Sequence, residues 1–323
     1  MSTSSLPPDV LAQTARTAVA VIQEVQNVFV GPRYVPELIL TSLVAGGHVL
    51  LEGVPGVAKT TLVKAFATTL GCSFRRIQFT PDLLPADITG TFVLSPREGT
   101  FELREGPLFA HVVLGDEINR SPAKTQSALL EAMQERQVTI EGETRTLPQP
   151  FLVLATQNPI EQAGTYPLPE AQIDRFLMRL WIGYPSHEDE RAILRRFLGE
   201  SPKARPLLNP QAILELQQLM RSVHIDEEVL DYVVRLTTWT RKHAHVYLGA
   251  SPRASLALVA AARARALLSG RGYALPDDVQ ALAEHVLAHR LVLTPEAEME
   301  GTKGEAIIKL ALQNVKPRRT PQG

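Results

Sequence analysis

The stretch "LLEGVPGVAKTTL", residues 50–62, governs the reading of the whole chain. An apolar run leads into a Gly/Pro turn, and a lysine–threonine pair opens a helix-forming run. The spacing matches G-x-x-x-x-G-K-[ST], the loop whose backbone N–H groups cradle phosphates, with Ala58 at the second glycine position. That chemistry needs a strand, converging N–H groups and a helix N-terminus whose dipole favours anions. "HVLLE" supplies the strand, "GVPGVAKT" the loop and "TTLVKAFATTL" the helix. Gly53 and Gly56 let the backbone approach the phosphates closely. Lys59 is placed to reach the β- and γ-phosphates, and the Thr60 hydroxyl to coordinate magnesium. The ATP contacts are therefore expected at Gly53, Val54, Pro55, Gly56, Val57, Ala58, Lys59, Thr60 and Thr61. Ala58 reads as a small residue at a helix start, where one methyl is acceptable and the positive φ of glycine is not required.

Short apolar runs recur on both sides of this loop: "HVLLEG" (48–53), "SFRRIQF" (73–79), "AHVVLGDE" (110–117), "PFLVLATQN" (150–158) and "FLMRLWI" (176–182). The third and fourth are nearly continuous, as in parallel strands buried on both faces. Residues 10–28 have helical periodicity, and a turn and second helix follow. A helix follows the first strand, and another lies between the third and fourth, with Ser121 as N-cap and Pro122 at the first helical position. Strands alternating with helices predict an α/β domain with a mainly parallel sheet. At "GYPSHEDERAIL" the composition changes, and Ser186 with Asp189 forms a capping-box pattern. Helices are expected over 187–198, 209–222, 226–244, 252–268 and 276–289. The division falls at Tyr184 to Ser186: residues 1–185 form an N-terminal helix plus the nucleotide-binding core, 186–316 a helical lid, and 317–323 a disordered tail.

The run "HVVLGDE" is an apolar strand ending in Asp116 and Glu117. Asp116 is suited to hold Mg2+ mainly through its water shell, and Glu117 to polarise an attacking water as general base. Two acids closing a strand are common in isolation; following a phosphate loop at this distance, they form its companion.

Composition removes other classes. The 323 residues carry 33 basic and 34 acidic side chains, a net charge of −1, and are 45% hydrophobic. That balance does not suit a chain built to coat nucleic acid or an anionic membrane. A single cysteine, Cys72, forms no disulfide framework and points to a reducing compartment. The start "MSTSSLPPDV" lacks a signal peptide's basic and apolar regions, and no run approaches the ~18 apolar residues of a membrane span. The expected setting is cytoplasmic, without membrane insertion. The histidines show no metal-ligand spacing with Cys72, and "RKHAHVY" (241–247) reads as a helix end.

Taken in order, "GVPGVAKT … GDEINRSPAKTQSALLEAMQE … LATQNP … LPEAQIDRF … SPRASL" resembles the AAA+ ATPases of the MoxR family over residues 28–293. The resemblance implies an AAA+ P-loop NTPase core followed by an all-α lid, with ATP and Mg2+ as cofactors. It also implies a ring, expected to be a hexamer. Members behave as chaperone-like ATPases acting on a client protein, typically with a von Willebrand factor A-domain partner. Carried across, it makes Asn158 sensor 1, which orients the attacking water, although a strand-end turn before Pro159 fits the same residues. It makes Arg175 the arginine finger reaching the γ-phosphate of a neighbouring subunit, against a plain ion pair with Asp174 or Glu170. Arg253, two residues after the N-cap Ser251, matches sensor 2, and the sequence leaves open whether it acts in cis or in trans. One departure is Pro32 in "VGPRYV", where AAA+ proteins often carry glutamine; adenine contacts are placed near Val30 and Gly31.

Two insertions, "FVLSPREGTFEL" (92–103) and "QVTIEGETRTL" (137–147), read as hairpins, the second turning near Gly142. They resemble the helix-2 insert and pre-sensor-1 hairpin shared with magnesium chelatase motor subunits and minichromosome-maintenance helicases. Residues 92–106 set Arg97 and Arg104 against Glu98, Glu102 and Glu105, and residues 137–149 set Arg145 against Glu141 and Glu143. A motor tracking a phosphate backbone calls for basic hairpins, so no nucleic-acid partner is expected. The function implied is ATP hydrolysis coupled between ring subunits to remodelling, maturation or metal/cofactor insertion of a client. The alternatives are an ATP-gated scaffold with negligible turnover and a DNA-associated motor.

Overall fold

Side chains alternate along a strand, and that alternation sorts the apolar runs into two layers. The computed structural model describes residues 6–54, 56–96, 99–157, 165–199 and 202–318. Helices α1 (Pro8–Val28) and α2 (Tyr34–Val44) lead into β1 (Val49–Gly53), α3 (Lys59–Thr69) and β2 (Phe74–Gln78). A short α4 (Pro85–Thr89) opens a hairpin of β3 (Gly90–Leu94) and β4 (Phe101–Glu105). There follow β5 (Val112–Asp116), α5 (Ala123–Glu135), a second hairpin of β6 (Gln137–Ile140) and β7 (Glu143–Thr146), then β8 (Leu152–Gln157), α6 (Glu170–Ile173) and β9 (Met178–Ile182).

Five strands form one parallel sheet in the order β2-β5-β8-β1-β9. Val49, Leu51, Val112, Leu114, Leu152 and Leu154 face the α1–α3 side, whereas Leu50, Val113, Val153 and Ala155 face α5. Near-continuous apolar strands are the consequence of covering both faces. β2 lies at the edge and leaves Arg75 and Arg76 exposed. The β6–β7 hairpin turns through Glu141 (φ 49°) and Gly142 (φ 90°), the double positive φ that matches strand twist in a two-residue loop.

The remainder comprises α7 (His187–Leu198), α8 (Pro210–Arg221), α9 (Glu227–Thr240), β10 (Val246–Leu248), α10 (Pro252–Leu268), α11 (Pro276–Leu287), β11 (Val292–Leu293), α12 (Pro295–Met299) and α13 (Gly304–Asn314). The Ser186 hydroxyl caps α7 and Asp189 returns the bond, as the sequence pattern predicts. One apolar cluster runs from the α1–α3 face of the sheet into α8–α11 and α13, so sheet and lid share a core. No helix of the described residues is long and apolar enough to cross a membrane.

Three local expectations change. Pro122, not Ser121, is the N-cap of α5, because the Ser121 hydroxyl turns back to the Ile118 carbonyl at 3.4 Å. The helix expected over 226–244 stops at Thr240, where Arg241 turns away and donates through Nε to the Ala250 carbonyl at 2.8 Å. The "RKHAHVY" segment then runs into β10, which pairs antiparallel with β11 and adds a small ribbon to the helical lid. Of the tail 317–323, residues 319–323 lie outside the described residues, and Arg318 stands 3.6 Å from Asp231. Arg97 and Glu98 of the first hairpin also lie outside them.

Candidate active site

β1 delivers the chain to the phosphate loop at its C-terminal end, the end where ligands bind in open parallel sheets. Gly53 is demanded by β9 whatever the loop binds: with φ at +153°, a Cβ there stands 2.1 Å from the Ile182 carbonyl oxygen. Gly56 (φ +81°) has nothing within 4 Å of such a Cβ, so its backbone is open. Ala58 enters α3 at φ 57°, ψ 31°. The expectation that this position needs no positive φ is thereby corrected, because the loop turns into the helix through the left-handed region. Alanine carries that conformation at a cost of about 1–2 kcal/mol. Pro55 lies outside the described residues.

Lys59 is half-buried and donates through Nζ to the Gly53 carbonyl at 2.8 Å. Burial pushes its ammonium below the ordinary lysine range, while the carboxylates of Asp116, Glu117 and Glu52 hold it up. Thr60 and Thr61 follow in the first turn of α3, whose leading N–H groups have no acceptor within the helix. A cavity of about 270 Å³ opens beside Gly56, Val57 and Ala58, with Val30, Gly31 and Phe197 on its apolar side.

The acids stand at the end of β5. Asp116 accepts from the Thr156 hydroxyl at 2.6 Å on Oδ1, and from Arg76 Nη2 at 2.6 Å and Nε at 3.1 Å on Oδ2. Thr156, buried in β8, also accepts the Glu117 N–H at 2.8 Å. Glu117 adopts φ 58°, ψ 50°, a conformation whose cost is met by the surroundings at functional sites. Its Oε2 accepts from Gln78 Nε2 at 3.0 Å and lies 3.2 Å from Arg120 Nε. Arg76 Nη2 in turn donates to Gln78 Oε1 at 2.5 Å. Arg76, Gln78 and Thr156 escape the sequence reading. Thr156 carried a signal, a hydroxyl inside an apolar run; the other two sit on an edge strand where polar residues are ordinary.

The donor set suits a hard divalent cation. Thr60 and Asp116 offer oxygen only; Asp116 Oδ1, with Thr156 as its one protein donor, retains lone-pair capacity, while Oδ2 is taken by the two donors of Arg76. Asn158, the sensor 1 candidate, lies outside the described residues.

Arg175 and Arg253 stand elsewhere. Both line a second cavity, of about 340 Å³, together with Gly47 and His48. That is the N-terminal end of β1, and its five residues span roughly 16 Å, more than an arginine side chain bridges. Asp174 does not pair with Arg175; it pairs with Arg290 of the lid, Nε to Oδ1 at 2.6 Å. The cavity gathers Arg136, Arg175, Arg253 and Arg290 around Asp174, and among the described residues neither Arg175 nor Arg253 forms an ion pair. Beneath them His48 is fully enclosed, with Nε2 donating to the Met133 carbonyl at 2.9 Å and Nδ1 accepting the Val153 N–H at 3.0 Å. Burial pushes its pKa down to about 4, which keeps the ring neutral, and the Val153 N–H and Met133 carbonyl fix this tautomer.

The sheet order, the loop after β1 and the paired acids after β5 define a P-loop nucleotide-binding domain with a helical lid. Residues 48–178 match the model of the ATPase family associated with various cellular activities (AAA), and residues 239–310 match that of the AAA lid domain. The chaperone MoxR1 of Mycobacterium tuberculosis is 48% identical over 314 residues, covering 94% of this chain and 83% of its own length. The protein MoxR of Methylorubrum extorquens is 31% identical over 91% of this chain and 93% of its own. The solved structure of a candidate ATPase from Cytophaga hutchinsonii superposes with a TM-score of 0.91 at 42% identity, covering 96% of this chain and 98% of the other. The chain belongs to the MoxR family of chaperone-like AAA+ ATPases.

Proposed function

We propose that this chain binds ATP with Mg2+ at the C-terminal end of β1 and hydrolyses it at sites completed by a neighbouring copy in a ring. The observation that carries this reading is the division of the site's charges. Lys59, Asp116 and Glu117 gather at one end of β1, and Arg175 and Arg253 at the other. A subunit stacked head to tail presents its arginines to the loop of the next, a heterologous arrangement that closes into a ring. Both Arg175 and Arg253 therefore act in trans.

In this reading, the loop N–H groups and Lys59 bind the phosphates, and the base lies in the cavity beside Val30, Gly31 and Phe197. Thr60 and Asp116 hold magnesium, which when bound neutralises phosphate charge. Glu117 takes the proton of the attacking water; Thr156 fixes its backbone and Gln78 its carboxylate. Asn158 is the residue assigned to orient that water. Arg175 of the neighbour offsets charge on the transferred phosphoryl group, a contribution of roughly 10³–10⁵ in rate where GTPases supply it. Closure of the lid against the core passes the change to a client protein bound in the cytoplasm, with a von Willebrand factor A-domain partner and no nucleic acid. A hexamer is the assembly we assign. Family membership and the MoxR1 relative support the chaperone-like role.

The test is Glu117→Gln. Phosphate release should fall by about 10²–10⁴ while ATP affinity and ring size stay at the parent level. Unchanged turnover would remove the base assignment. The same variant, trapped with ATP, should retain client and partner in a pull-down, and recovery of DNA instead would favour the motor alternative.

A further inference from the structure

The residue after α11 that ends the lid's short helical turn, Arg290, is almost wholly enclosed, its side chain 3% exposed. It reaches back 116 positions in sequence to the segment that carries Arg175. Nε donates to Asp174 Oδ1 at 2.6 Å, and Nη2 to the carbonyls of Asp174 at 3.3 Å and Phe176 at 2.8 Å. Nη1 donates to the carbonyls of Leu177 at 3.4 Å and Val286 at 2.5 Å. The acceptors thus include the backbone oxygens on both sides of Arg175. His289, beside it, places Nε2 3.2 Å from the Phe176 carbonyl as well. Burial among arginines pushes His289 well below the ordinary histidine range, so the neutral ring donates there.

Among the described residues no other guanidinium donates to the carbonyls of this segment. Its N–H groups are taken by the last turn of α6, Arg175 N to the Gln172 carbonyl and Phe176 N to the Ile173 carbonyl, and by the His48 carbonyl, which accepts Leu177 N at 2.8 Å. Its carbonyls are read by the lid. A buried ion pair is weak evidence for stability, since apolar residues fill the same volume as well or better. What only a guanidinium provides is a planar fork of five donors in fixed geometry. Here that fork grips the backbone around Arg175, whose side chain lines the 340 Å³ cavity.

The lid that holds this fork is also linked, through Arg179, to the strand that enters the phosphate loop of its own chain. Arg179 of β9 donates through Nη2 to Glu305 of α13 at 2.5 Å and lies 3.8 Å from Glu52, the residue before Gly53. α11 packs on both β9 and α13. The lid therefore touches both β9, the strand paired with β1, and the segment that carries Arg175.

We propose that Arg290 is the positioning residue for the arginine finger, so that the lid of each subunit sets Arg175 for the site of the next. The proposal rests on the trans reading of Arg175. It makes Arg290 a contributor to the neighbour's turnover, with no part in nucleotide binding by its own chain.

The experiment mixes subunits. Arg290→Lys keeps the charge and loses the fork; Asp174→Leu with Arg290→Met removes both charges and leaves none buried alone. Each should form rings and bind a fluorescent ADP analogue within about twofold of the parent, while kcat falls at least about tenfold with KM for ATP little changed. Mixed with Lys59→Ala subunits, whose own site is dead but whose finger is intact, the variants should regain hydrolysis. The control is Arg175→Ala mixed with Lys59→Ala. Recovery in the control without recovery for Arg290→Lys overturns the positioning role alone. Failure of the control overturns the trans reading, and this inference falls with it. If Arg290→Lys does not fold, the double variant carries the test; failure of both to assemble, or an equal loss of nucleotide affinity, leaves a purely structural ion pair and overturns the proposal.

Discussion

The two ends of β1 hold their charges by different means. At the C-terminal end the functional groups come from neighbouring strands and one loop, and strained backbone aims them. Ala58 and Glu117 both occupy the left-handed region, and Thr156 ties Asp116 to the Glu117 N–H. At the N-terminal end Arg136 also takes a left-handed φ of 54°, but Asp174, Arg175 and Arg290 do not, and long-range contacts do the holding there: the lid through Arg290, the strand through His48. The first arrangement fixes atoms within one chain. The second leaves two arginines, Arg175 and Arg253, that form no ion pair among the described residues, and in the proposed ring these complete the site that the first arrangement leaves open in the next subunit.

The largest expected effect breaks that division directly. Arg175→Ala should lower ATP turnover by about 10³ without weakening nucleotide binding, measured by phosphate release and by titration with a fluorescent analogue. A comparable loss of affinity would place the arginine in its own chain's site. Thr156→Val, nearly isosteric, strips the hydroxyl shared by Asp116 and Glu117. It should cost about 1–3 kcal/mol of stability from the orphaned N–H and slow turnover by roughly 10–100-fold. An unchanged rate would mean that strain alone positions Glu117.

The N-terminal end predicts a pH effect on stability that comes from a buried histidine. His48 has a folded pKa of about 4 against an ordinary value of 6.5, so on acidification the unfolded chain takes up the proton first. Its stabilising effect is complete above pH ~6.5 and is lost as pH falls toward ~4, by about 3 kcal/mol in total. His48→Gln, which can donate to Met133 and accept from Val153, should flatten part of that acid limb in thermal melts, His289 supplying the rest. A slope unchanged by the substitution would remove His48 as its source. The smallest effect belongs to the loop. Ala58→Gly relieves left-handed strain of about 1–2 kcal/mol but adds ~0.5–1 kcal/mol of chain entropy. ATP affinity should therefore move by less than about fivefold, and a larger change would give the methyl a contact of its own.

Much of the C-terminal end was legible beforehand because its parts are local. A strand, a glycine turn, a lysine and a helix lie within residues 50–62, and Asp116 with Glu117 close a single apolar run. What escaped, Arg76, Gln78 and Thr156, joins that end only through the pairing of β2 and β8 with β5. The N-terminal end was legible as separate motifs and not as a place. Asp174 stood beside Arg175 in sequence and was an obvious partner, yet a helical turn points neighbours apart and Arg290 took the carboxylate instead.

The sequence by itself determined the layers, the strand-loop-helix unit and the chemistry of the acids, because periodicity and short motifs act over a few residues. Only the tertiary structure decided that Ala58 and Glu117 take positive φ, since the direction of a turn depends on the strands it must leave and join. It alone decided, too, that the arginines lie a strand's length from the lysine. The parallel order of the sheet puts the start of β1 on one side of the molecule and its end on the other, and a distance of that kind exists only after the chain has folded.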